Sequence, residues 1–279
     1  MLSAEHLEER ARDLAASFTL ARNPRSQPRR LLARMRENAR LLRHAYQALA
    51  QDVREGKSVA PAAEWLLDNF HLVEGEIRDV RKSLPQHFYL ELPKLAVREY
   101  RGMARIHAMA IEFIRHSDAR FDQRRLIHFL NAFQTVTPLT LGELWAWPSM
   151  LKFGLVENLR RLADEILDSR EGESLADAYW ARFESLAADH ALPALPERLS
   201  DSFVAHLLER MRALGPRVSE LREALEARLA GSERSIDDAI RAEHQRMTTG
   251  HASTGNSITA LRFVSTVDWN VTIERVSLM

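Results

Sequence analysis

The sequence predicts an all-α protein, a multi-helix bundle of roughly ten helices with short connections. Three observations predict it. Only ten glycines and ten prolines punctuate 279 residues, and Leu, Ala, Arg and Glu, which hold a helical backbone well, are abundant. Apolar residues also recur at steps of three and four, the period of one helix face. The pattern is clearest in residues 61–85, PAAEWLLDNFHLVEGEIRDVRKSLP, where Leu66, Phe70, Val73, Ile77, Val80 and Leu84 form a single stripe that should be buried against neighbouring helices.

In chain order the helical segments fall at residues 3–21, 28–55, 61–83, 93–116, 122–135, 140–168, 173–189, 197–213, 216–230, 235–248 and 256–278. Pro24 and Pro28 flank the first break, and Gly56 and Lys57 the second. Thr140 and Glu143 have the capping-box spacing, in which a hydroxyl and a carboxylate satisfy the free amides at a helix start. Pro148 lacks an amide hydrogen and crowds the carbonyl four residues back, so the helix should kink or split between Trp147 and Ser149. Beyond it Leu151, Leu155, Leu162 and Ile166 form a stripe that includes Asn158, an amide that needs a partner on another helix.

Pro193 and Pro196 mark a turn in ALPALPERL, dividing the chain into residues 1–192, a helical bundle, and 193–279, a helical extension. Past that turn, stretches such as RVSELREALEARLA read as exposed hairpin or coiled-coil material. A polar loop is expected from Gly250 to Gly255. The last segment would open at a cap on Asn256 or Ser257, with a strand over residues 263–276 as the weaker alternative. It ends inside an apolar pattern without a helix stop, so the chain reads as cut there. No repeat of fixed period is visible.

Thirty-nine basic and thirty-nine acidic residues cancel, which removes the global electrostatic case for a nucleic-acid partner. The run from Arg22 to Arg43 holds eight arginines, but no aromatic that could stack on a base lies within it, the next one being Tyr46, so it reads as a solvated helix face. Zero cysteines exclude disulfides, a thiol nucleophile and thiolate metal sites. The N-terminus lacks the apolar core of a secretory signal. The longest charge-free run, residues 126–142, contains polar residues and a proline and is too short to span a bilayer.

Polar residues stand out in two places. Glu64, Trp65, Asp68, Asn69 and His71 crowd the first turns of the 61–83 segment, and Glu143, Trp145, Glu157 and Asn158 lie between residues 140 and 168. All nine are candidates for ligand or interdomain contact. Asp68 and His71, three apart with Glu64 a turn earlier, are half of a di-iron bundle pattern. No second such pair and no HExxH motif occurs, so no metal and no cofactor is expected. Elbow, phosphate-loop and dinucleotide motifs are also missing, and no catalytic residue is assigned. Glu157 and Arg161 have the spacing of a surface ion pair. The polar side of the 61–83 helix reads best as a lattice of interhelical hydrogen bonds around a buried Trp65.

The stretches AEWLLDNFHLVEGEIRDVRKSLP, FYLELPKLA and TPLTLGELWAWPSMLKFGLVENLRRLA, with AEHQR and GNSITALRFVSTVDWNVTIERVSL near the end, resemble the N-terminal region of bacterial cyclic β-1,2-glucan synthases. The resemblance runs from about Ala60 to the last residue, although residues 170–230 add nothing to it. It implies a large inner-membrane enzyme that polymerises glucose from UDP-glucose, trims the chain by phosphorolysis and cyclises it. This chain would be the helical region on the cytoplasmic side, leading toward a membrane glycosyltransferase part. Its partners would be the remaining domains of the synthase and, through them, the membrane, with the glucan as a further candidate. The expected role is a noncatalytic packing module. Two alternatives stand beside it: a carbohydrate-binding or cryptic enzymatic site built from Glu64, Asp68, His71, Trp145 and Glu157, and a free-standing cytosolic helical adaptor.

Overall fold

The computed structural model describes residues 4–22, 28–186, 192–211 and 216–277. Among them are twelve α-helices: α1 (Ala4–Ser17), α2 (Pro28–Arg54), α3 (Pro61–Asp68), α4 (Phe70–Ser83), α5 (Gln86–Glu91), α6 (Arg105–Ser117), α7 (Gln123–Gln134), α8 (Leu141–Ser185), α9 (Asp201–Arg210), α10 (Pro216–Ala230), α11 (Ile236–Thr266) and α12 (Trp269–Val276). The fold is all-α. The chain forms two compact units, Met1–Leu162 with Ala252–Met279 and Ala163–His251. It passes from the first to the second within α8 and returns within α11, so the Pro193 to Pro196 turn lies inside the second unit.

In the first unit α1 lies along α7, which also meets α12, and α2 packs on α3, α4 and α5. The stripe expected in residues 61–85 is buried at all six positions. At the centre Phe113 meets Phe129 and Trp147, whose own rings stack with centroids 6.1 Å apart. In the second unit Tyr179 and Phe183 of α8, Phe203 and Leu207 of α9, Leu221 and Leu225 of α10 and Ile236 of α11 form a separate core.

Several helix boundaries differ from the sequence expectation, each for a local reason. The 61–83 helix breaks at Asn69, whose side-chain Nδ2 donates to the Trp65 carbonyl at 2.8 Å. That carbonyl is the acceptor a continuous helix would offer to the Asn69 backbone amide. Residues 93–104, expected as helix, instead form a knot of isolated bridges, Leu20 with Leu95 and Lys94 with Ala104, and helix begins only at Arg105. Gly102 makes the turn possible with φ of +79°. The short α5 is an addition.

Pro148 does not split α8. Buried Leu144, Ala146, Trp147, Met150 and Leu151 hold the helix on both sides of the proline, and tertiary burial outweighs the lost hydrogen bond. The segments expected at 140–168 and 173–189 are therefore one helix as far as Ser185. Residues 250–255 are likewise helical within α11, so Asn256 and Ser257 are interior positions and cap nothing. The true cap follows at Asp268, whose carboxylate accepts from the Asn270 and Val271 amides, and residues 269–276 are helix rather than strand. Pro24 and Arg25 lie outside the described residues.

Gly172, on α8 in the second unit, marks a close helix crossing. A Cβ there would run into the Ser202 hydroxyl and come within 2.9 Å of the Phe203 amide nitrogen at the start of α9. Because backbone cannot swing away as a side chain can, Gly172→Ala should destabilise this unit by about 1–3 kcal/mol. A denaturant titration checks the value, with Gly250→Ala, where a Cβ meets nothing within 4 Å, as the tolerated control.

Candidate functional site

The first unit contains a half-open cleft of about 690 Å3, lined by side chains of α2, α6, α8 and α11. From α2 come Arg34, Glu37 and Asn38; from α6 and its end, Ile114, Arg115 and Asp118; from α8, Gly154, Glu157, Asn158, Arg160 and Arg161; and from α11, Ser253. Arg34 and Asn38 are four apart, so one face of α2 delivers both. Gly154 allows α6 and α8 to approach, since a Cβ there would stand 2.6 Å from Ile114 Cδ1.

Glu157 is the most deeply set acid of the cleft. It forms an ion pair with Arg34. Burial pushes its carboxyl above the usual carboxylate range, against the opposing charges of Arg34 and Arg160. Buried Asn38 stands beside it, and a hydrogen bond from its side-chain amide steadies the Glu157 charge. Asn158 fulfils the expectation drawn from its place on the stripe: its Nδ2 donates to Ser257 Oγ of α11 at 2.9 Å, and its Oδ1 accepts from Arg161. Asp118 caps α6 in the left-handed region, with φ of 51°. Its carboxylate accepts from Ser253 Oγ at 3.3 Å and Asn256 Nδ2 at 3.2 Å, which ties the end of α6 to α11.

The other candidates lie elsewhere. Asn69, at the α3–α4 junction, accepts from Arg262 of α11 through Oδ1 while its amide holds the Trp65 carbonyl. Nearby Glu76 accepts from Ser265 Oγ at 2.6 Å and pairs with Lys152 at 2.5 Å. The lattice of interhelical hydrogen bonds is therefore real at this junction, but Trp65 is not its buried centre. The indole is 36% exposed and lies over Gly255 of α11. Glu64, Asp68 and His71 face solvent. Trp145 is 46% exposed. Of the nine candidates only Glu157 and Asn158 line the cleft.

Glu143 is completely buried and performs the expected capping. Its Oε2 accepts from the Thr140 amide at 2.9 Å, and Thr140 Oγ1 accepts from the Glu143 amide at 3.2 Å. The same carboxylate takes a two-point contact from Arg105, Nε to Oε1 at 2.8 Å and Nη2 to Oε2 at 2.6 Å, while Arg105 Nη2 also donates to the Pro138 carbonyl. Close by, buried Lys94 donates to the Tyr89 carbonyl and sits 3.9 Å from the Tyr89 ring centroid. Burial brings its ammonium down to about 8, with Glu143 pulling the other way.

Sequence reasoning missed Arg34, Asn38, Asp118 and Ser253 in the cleft, and Lys94, Arg105, His107 and Glu112 in the interior. Arg34 was hidden inside the arginine run. Glu112 gathers Tyr100 and Arg10, each at 2.6 Å, and Arg115 at 2.9 Å. Burial alone would raise its carboxyl, but these donors hold it below the usual range. Among the described residues no three His, Asp or Glu side chains are grouped to hold a metal ion, and no helix is long and apolar enough to cross a membrane.

No protein-family model matches the chain. It is 36% identical over 251 residues to the cyclic beta-(1,2)-glucan synthase NdvB of Rhizobium meliloti (strain 1021), a match that covers 88% of this chain and 9% of the synthase. The chain thus spans about a tenth of the length of that curated relative. Along most of its own length, the chain is a counterpart of one segment of a cyclic β-1,2-glucan synthase.

Proposed function

We propose that the chain is a noncatalytic helical module of a cyclic β-1,2-glucan synthase, packing on the other domains of an enzyme that uses UDP-glucose. In this reading it lies on the cytoplasmic side of the inner membrane, reaches the membrane through those domains, and helps to hold the assembly or guide the nascent glucan. The observation that carries the proposal is how the polar candidates are used within a segment so similar to a synthase. Glu143 caps and anchors α8, Asn69 fixes the α3–α4 junction to α11, and Asn158 ties α8 to α11. Each spends its polar atoms on holding helices in place.

The isolated chain, shown to be folded by its helical circular dichroism, should neither transfer nor release glucose from UDP-glucose. Turnover that Glu157→Gln abolishes would overturn the reading. The rival carbohydrate site required Glu64, Asp68, His71, Trp145 and Glu157 to converge. Among the described residues, the cleft around Glu157 contains none of the other four and no aromatic ring on which a sugar could stack.

A further inference from the structure

We propose that the face formed by α2 and α4 is a docking surface for an anionic lipid bilayer. The two helices pack together in the first unit, and a shallow groove of about 140 Å3 between them is lined by Arg43 of α2 and by Glu74, Arg78 and Arg81 of α4. Tyr46 stacks on Phe70, and Arg43 donates to Glu74 Oε1 at 3.1 and 3.2 Å. Residue numbers thus fall along α2 as they rise along α4, and the helices run antiparallel. Continued for about two turns, this register sets Arg36 at the level of Arg81.

Helical spacing places Arg36, Arg40 and Arg43 on one stripe of α2, and these three are exposed, as are Arg78 and Arg81. Few acids stand near enough to neutralise them. Glu74 is held by Arg43, Glu37 lines the larger cleft instead, and Asp79 falls on the opposite side of α4 from Arg81. Arg36, Arg40 and Arg81 make no hydrogen bond or ion pair among the described residues. The chain carries equal numbers of basic and acidic residues, so the positive excess belongs to this face and not to the molecule as a whole. Sequence alone shows only the α2 row, which by itself reads as a solvated face. The fold sets a second row beside it.

The chemistry of the face selects the partner. A protein interface is anchored by apolar or aromatic side chains at its centre, but here the large apolar residues of the groove, Phe70 and Ile77, are buried. A single-stranded nucleic acid needs a free aromatic face, and Tyr46 already spends its ring on Phe70, with centroids 4.3 Å apart. What remains is a row of guanidinium groups on each of two helices. That suits a surface of interchangeable phosphates, which a bilayer containing anionic phospholipid presents.

The test is co-sedimentation of the whole chain with vesicles of phosphatidylglycerol and phosphatidylcholine in equal parts, and in parallel with pure phosphatidylcholine vesicles. A fluorescent DNA duplex is titrated at the same salt. The chain should bind the anionic vesicles, ignore the neutral ones, and dissociate as salt is raised. A variant carrying Arg36→Gln, Arg40→Gln and Arg81→Gln should bind about a hundredfold more weakly, at roughly fivefold for each arginine. A control carrying Arg182→Gln, Arg222→Gln and Arg241→Gln, at exposed positions of the second unit, has the same net charge and should bind as the wild type does. Thermal unfolding reports whether each variant folds. If the first does not, Arg40→Gln with Arg81→Gln takes its place, with a loss of about 25-fold expected. The proposal fails if the chain binds neither kind of vesicle or both equally, or if the control loses as much as the patch variant. It fails also if the DNA duplex binds more tightly than the anionic vesicles, which would reassign the face to nucleic acid. This contact would be direct, in addition to any attachment through other domains, and the module reading is tested separately by the glucosyl-transfer assay.

Discussion

Replacing Arg105 by Met should destabilise the first unit by about 3–5 kcal/mol, the range measured when one member of a buried ion pair is removed. Arg105 and Glu143 are 2% and 0% exposed, so the abandoned carboxylate cannot recover its hydration. It would keep only the Thr140 contacts of the capping box. Glu143→Gln should cost a similar amount for the opposite reason, because it strands the guanidinium while preserving the cap, which Gln also makes. The two losses should not add. With both changes no unpaired charge remains between α6 and α8, and the double variant should recover much of the loss. Recovery should stay incomplete, because Glu143 also offsets the buried Lys94 ammonium. Denaturant titrations of the four proteins form the cycle. Losses that add within about 0.5 kcal/mol would show that the pair is not coupled.

The same pair shows what was legible in the sequence. Thr140 and Glu143 are three residues apart, and their capping box could be read directly. Arg105 lies 38 residues before Glu143, on a helix whose start periodicity alone does not mark, and no local pattern links the two. The apolar stripe from Leu66 to Leu84 was readable because periodicity survives even the break at Asn69. The break was not readable, since it rests on the Asn69 amide taking the carbonyl four residues back, an option open to any asparagine in a helix, and Arg262 of α11 then holds its Oδ1. Helix continuity failed in the opposite direction. Pro148 and the glycines at 250 and 255 are intrinsic breakers, yet α8 and α11 run through them; around Pro148 and Gly255 packed side chains cover the helix, whereas Gly250 lies in an open stretch where a lone glycine costs a helix only about 1 kcal/mol. Gly255 is helical where the Trp65 ring lies against it. For the candidate site, spacing identified Asn158 and its need for a partner, and Glu157 as a member of the same helix. The cleft itself is assembled from helices far apart in sequence and left no local trace.

His107 should make the first unit acid-labile. It is fully buried on α6, its ring set edge-on to Phe153 with centroids 4.9 Å apart, and neither ring nitrogen has a hydrogen-bond partner among the described residues. Burial, reinforced by the positive charges of Arg34 and Lys94, brings the imidazole down to about 3 from its ordinary 6.5. The folded protein therefore holds the ring neutral where the unfolded chain takes up a proton. Above pH 6.5 both states are neutral and stability is unaffected. As pH falls from 6.5 toward 3 the unfolded state binds more protons than the folded state, and stability is lost progressively. At about 1.4 kcal/mol for each pH step of one across this window, the loss approaches 5 kcal/mol near pH 3. Paired carboxylates such as Glu112 add their own acid sensitivity, so the informative quantity is a difference between proteins. His107→Leu keeps an apolar side chain against Phe153 and removes both the titration and two unsatisfied nitrogens. It should be more stable than wild type at pH 7 and should widen that lead steadily from pH 6.5 down to 3. Denaturant titrations at intervals across this range measure the gap. A constant gap would mean that the buried ring gains a proton as readily in the folded protein as in the unfolded chain.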